Sequence, residues 1–129
     1  MRSRQAAVQR TVAYLMDYSI PQDWIAEAGL DGFMPATQGY RCDEPHSLVA
    51  LTDIAPIKRD RPLDRNGFVR DRMMAVLRGI SKGESIPPII IWAALAGPPR
   101  FELRDGYHRL YASATFGFSH VPADIIDRY

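Results

Sequence analysis

Asp105-Gly106-Tyr107-His108-Arg109 puts a carboxylate, an imidazole and a guanidinium within five residues of one another. An arginine held on a tight turn can make bidentate, charge-assisted bonds to a phosphate. A histidine titrates near neutrality, so His108 can donate to a phosphate oxygen or act as a general acid–base. Asp105 has two uses. It can cap the helix that follows, an effect worth about 1 kcal/mol, or hold Mg2+ and activate a hydroxyl beside bound phosphates. The setting favours an anion, because the first N–H groups of a helix lack intrahelical acceptors and lie at the positive end of its dipole. The same dipole disfavours His108 and Arg109 in that turn, a penalty that a bound phosphate would reverse. Structural uses compete: Arg109 can pair with Asp124 or Glu102, and His108 can bond to backbone.

The elements that must position these groups follow from periodicity. Phe101 and Leu103 alternate with Glu102 and Arg104, as a strand requires. Gly106 permits a sharp turn, and Tyr107, Leu110, Tyr111 and Ala114 then form a helical stripe over 106–116, stopped by Gly117. Upstream, Phe68–Ile80 is the clearest helix, with Val69, Met73, Val76, Leu77 and Ile80 on one face and Gly79 and Gly83 closing it. Ile89–Trp92 is a continuous apolar run, expected to be a strand covered on both sides. Strands are also expected at 48–51 and 121–126, and helices at 4–18 and at 21–28, the latter ended by Gly29. Residues 31–46 and 56–67 read as loops. The order is β-α-β-β-α-β behind a helical preface, an α+β fold with a mixed sheet.

With 129 residues, 47% of them hydrophobic, the chain can bury one ordinary core. The start carries no apolar signal region, and the lone Cys42 excludes an intramolecular disulfide, so a cytoplasmic, reducing location is expected. Cys42, Asp43 and His46 lack a second pair at ligand spacing, so no metal centre is expected. The net charge of +1 is unevenly spread. Residues 17–53 hold seven acids against Arg41 alone, whereas 58–82 hold eight bases against Asp60, Asp64 and Asp71. That basic segment suits an anionic ligand or DNA, or else a solvated face paired with the acidic part. Arg59, Arg61 and Arg65 can close over phosphates or serve solubility. Tyr107, Tyr111 and Phe116 can stack on a base or pack in a core.

Ile86-Pro87-Pro88-Ile89-Ile90-Ile91, then Phe101–Ala112, then Phe116-Gly117-Phe118-Ser119-His120-Val121-Pro122-Ala123 occur in an order that resembles the ParB/sulfiredoxin superfamily over residues 48–127. The resemblance divides the chain into a helical extension, 1–46, packed on the domain or a partner, and a ParB/sulfiredoxin-like domain, 47–129. It implies that Gly106, Tyr107, His108 and Arg109 cradle the phosphates of CTP, ATP or ADP with Mg2+. It also brings in Arg70, Arg72 or Arg78 in place of the nucleotide ligands that the family carries on the preceding helix. Tyr107 stands where sulfiredoxin has its catalytic cysteine, which argues against sulfinic acid reduction. The glutamate of the ParB turn is missing, and no helix-turn-helix follows.

Three expectations result. The chain is a nucleotide-binding domain, with DNA contact open through residues 58–82. Alternatively it is a phosphotransferase or phosphohydrolase (nuclease) using Asp105 and His108 as catalytic groups, with a further carboxylate from Asp60, Asp64 or Asp71. Or it is a non-catalytic interaction module that dimerises or docks a partner through residues 4–29.

Overall fold

The computed structural model describes residues 18–55 and 67–128. In it the alternating and helical stretches become α1 (Gln22–Glu27), β1 (Ser47–Ala50), α2 (Arg70–Lys82), β2 (Ile89–Ala93), β3 (Phe101–Asp105), α3 (Tyr107–Thr115) and β4 (His120–Ile126). From β1 onward this is the expected β-α-β-β-α-β order. The helix expected at 4–18, save Tyr18, and the arginines at 59, 61 and 65 lie outside the described residues.

The strands form one mixed sheet in the order β1-β4-β2-β3. Ser47 pairs with Ala123 and Val49 with Val121 in an antiparallel β1–β4 ladder, while Ile89 pairs with Ala123 in a parallel β2–β4 ladder. A parallel neighbour needs a crossover. Here β3 and α3 provide it, and α3 lies against β2 and β4 on its way across. β2 and β3 form a hairpin whose register shifts between Ile90, opposite Asp105, and Ile91, opposite Leu103. Arg104 is the extra residue. Such a bulge bends the strand end, here just before the bend into α3.

Ile89 and Ile91 are buried, but Ile90 and Trp92 are only partly so. This corrects the expectation of a strand covered on both sides. The apolar run continues on the outer face because arginine shields it there: the guanidinium carbons of Arg128 and Arg104 lie 4.5 and 5.8 Å from the Trp92 ring centroid. A second correction concerns Gly79, which lies within α2 and does not end it. A side chain there would come within 3.1 Å of Ile86, so glycine lets Ile86 pack on the helix. The helix stops at Gly83, φ 66°, where the N–H of Glu84 bonds Gly79 O and that of Gly83 bonds Ile80 O, a Schellman closure.

One core joins these elements to the segment before β1. Ile20, Trp24, Ile25, Leu30 and Tyr40 are buried together with Phe68, Met73, Leu77, Leu110 and Tyr111. Among the described residues no helix is long and apolar enough to cross a membrane.

Candidate functional site

Asp105 closes β3 and Gly106 turns the chain into α3 at φ 114°, ψ 31°. That conformation is open to glycine and strained for other residues. The bend is also seated on β2, since a Cβ at position 106 would lie 2.7 Å from Ile89 Cγ2. Gly106 holds the N-cap position, and a glycine has no side chain with which to cap the helix. Asp105 therefore is not the cap expected from sequence: it stands one residue too early, as the last residue of a strand. Its carboxylate turns back along the helix toward Arg109, at 3.7 Å.

Arg109 is the best-defined cation of the site. Its Nη1 donates to two carbonyls, Pro87 O at 3.2 Å and Pro88 O at 2.7 Å. Both protons of that nitrogen are thereby used. The Nε–Nη2 edge, the one suited to a bidentate anion, meets among the described residues only Asp105 Oδ2, beyond hydrogen-bond range. The Arg109 side chain is 19% exposed and that of Asp105 65%. The partners expected from sequence are not used: Glu102 pairs with Arg128 at 3.0 Å, and Asp124 is exposed. The Tyr40 hydroxyl donates to the same Pro87 carbonyl at 2.6 Å. Burial pushes the Tyr40 phenol well above its ordinary pKa, with the Arg109 charge opposing. Cys42, on the same irregular strap of residues 40–46 that leads into β1, is likewise raised by burial and feels Arg109 in the opposite sense.

His108 points inward. Its ring is buried, and Nε2 accepts the Val69 N–H at 3.0 Å. Val69 is the N-cap residue of α2, so the imidazole fastens the start of α2 to the first turn of α3. Only an unprotonated Nε2 can accept this bond. Tyr107 packs against Phe68 and Tyr111 at centroid distances of 5.7 and 4.8 Å. Tyr107, Tyr111 and Phe116 are all core residues, and none presents a stacking face to solvent.

Arg70 and Arg78 come together, but on Glu27: its two carboxylate oxygens accept from them at 2.7 and 3.0 Å. The hydrogen bond from Arg70, reinforced by both guanidinium charges, lowers the Glu27 pKa. The two arginines thus tie α2 to α1, and Arg70 also lies 5.9 Å from the Trp24 ring. Met74, between them on the same helix, is buried in the core.

Of the residues singled out by sequence, the structure assembles Asp105, Gly106 and Arg109 at one bend, turns His108 and Tyr107 into the core, and commits Arg70 and Arg78 to α1. Sequence reasoning missed Tyr40 and the Pro87 and Pro88 carbonyls. Proline carbonyls carry no local signal of a role as acceptors. No protein-family model matches the chain, and no curated protein matches it.

Proposed function

We propose that this chain is a phosphate-binding domain whose ligand is a nucleotide (CTP, ATP or ADP), held by its phosphates at the start of α3. The observation that carries the proposal is the Arg109 guanidinium, pinned at Nη1 by two carbonyls while, among the described residues, its Nε–Nη2 edge has only a loosely placed, exposed carboxylate opposite it. Pre-organisation of this kind lowers the ordering cost of binding. Each charge-assisted bond to that edge would contribute about 1.5–3 kcal/mol. The first turn of α3, entered from Gly106, adds a field of the right sign. Asp105 is the group that would share a Mg2+ ion with the ligand's phosphates. Binding is favoured over phosphoryl transfer because the His108 ring is buried and its Nε2 is committed to the Val69 N–H.

Calorimetric titration with CTP, ATP and ADP, each with Mg2+, tests the proposal. At least one should give saturable heat. Arg109→Lys, which keeps the charge and loses the fork, should weaken it about tenfold or more. Absence of heat with all three nucleotides would remove this function.

A further inference from the structure

We infer that Tyr40 is a positioning residue for Arg109, acting through the Pro87 carbonyl; its effect on anion affinity rests on the function proposed above. The Pro87 oxygen accepts two bonds, from Tyr40 Oη at 2.6 Å and from Arg109 Nη1 at 3.2 Å. Its neighbour Pro88 O takes the second Nη1 proton at 2.7 Å. The orientation of the guanidinium is thus set by two consecutive carbonyls, and the one that holds it less closely is braced by the tyrosine.

The brace is stiff for reasons visible around it. The Tyr40 ring is buried in the core, leaving its hydroxyl little freedom to move. The strap that carries it runs beside the Pro87-Pro88 segment: Ile86 N–H donates to Arg41 O at 2.8 Å, and Asp43 N–H to Ser85 Oγ at 2.8 Å. Neither Pro87 nor Pro88 has an N–H with which to anchor itself in the sheet. Their carbonyls are anchored instead by the two side chains, one from the strap and one from α3. An ordinary phenol, with a pKa of about 10, is already protonated across the neutral range, and burial moves Tyr40 further in that direction, so the hydroxyl remains a donor there.

Without the hydroxyl, the Pro87 carbonyl keeps Arg109 alone and the segment before β2 loosens. The guanidinium then samples rotations that carry its Nε–Nη2 edge away from the start of α3. The ring itself, and its packing, are unaffected by the loss of one oxygen.

Tyr40→Phe tests this with two readouts. The first is the arginine side-chain region of the 15N–1H spectrum of the full chain at low temperature. Distinct, slowly rotating Nη1 and Nη2 signals for Arg109 are expected in the parent, and averaged signals in the variant. The second is a calorimetric titration with inorganic pyrophosphate, in which the variant should bind about three- to tenfold more weakly. Val49→Ala, a core truncation in β1, is the stability control and should leave both readouts as in the parent. Unchanged Arg109 signals in Tyr40→Phe would overturn the inference. So would signals lost equally in Val49→Ala. If the signals average in Tyr40→Phe while the parent binds no pyrophosphate, the brace stands and only its consequence for anion affinity is overturned.

Discussion

Replacing Gly106 by alanine would force a φ of 114° on a residue with a Cβ and drive that carbon to 2.7 Å from Ile89 Cγ2. The cost should be about 2–5 kcal/mol, combining backbone strain with overpacking, and urea denaturation would measure it. His108→Ala acts differently. It strips the acceptor from the Val69 N–H, and stability should fall by about 1–3 kcal/mol on the same assay. Asp105→Asn bears on the proposed ligand. With the competing carboxylate neutralised, metal-free pyrophosphate should bind up to about fivefold more tightly, the range of an exposed ion pair. An unchanged affinity would place Asp105 outside the site, and a weaker one would show that its carboxylate positions Arg109 instead of competing with the anion. At this scale the sequence placed the bend at Gly106, took Asp105 for its cap and left His108 open between a phosphate and the backbone. A cap and a strand end differ by one residue, and an inward histidine looks like an outward one until its neighbours are known.

Between elements, the clearest link is Glu27 on α1 bridging Arg70 and Arg78 on α2. Its carboxyl titrates below the ordinary value of 4.5, so the folded state prefers the ionised form. The stabilisation is therefore complete above that value and is lost as pH falls through the lowered pKa. Acid titration of stability from pH 6 to 3 should show a smaller loss for Glu27→Gln than for the parent. An identical profile would mean that the bridge adds nothing to the coupling of α1 and α2. The basic excess of residues 58–82 was legible from composition, yet its use was not. An arginine at a helix surface serves a ligand or a carboxylate equally well, and only the position of α1 decides for Arg70 and Arg78.

At the scale of the molecule, residues 20–46 share the core that the sheet and helices enclose. Trp24 and Tyr40 are buried beside residues far along the chain, so this segment is part of the folded unit. Trp24→Ala should cost about 3–5 kcal/mol. Removing residues 1–46 should abolish the near-ultraviolet circular dichroism of the remaining chain, because it takes Trp24, Ile25, Leu30 and Tyr40 out of one contiguous core. A deleted form that retained a sharp thermal transition would show that residues 47–129 fold alone. The described part of the extension expected at 1–46 shares that core with the elements from β1 onward.

Sequence alone determined the order of elements from β1 onward, the bend at Gly106 and the stripes of α2 and α3, because periodicity, glycine and turn chemistry act over a few residues. Tertiary structure decided which polar groups remain available at the bend. His108 is taken up by Val69, 39 positions away, and one nitrogen of Arg109 by Pro87 and Pro88, more than 20 away. Those partners are set by how α2, the strap and β2 pack around α3. Hydrogen bonds between such distant residues leave no trace in local spacing, because each depends on a surface that exists only once the core has formed.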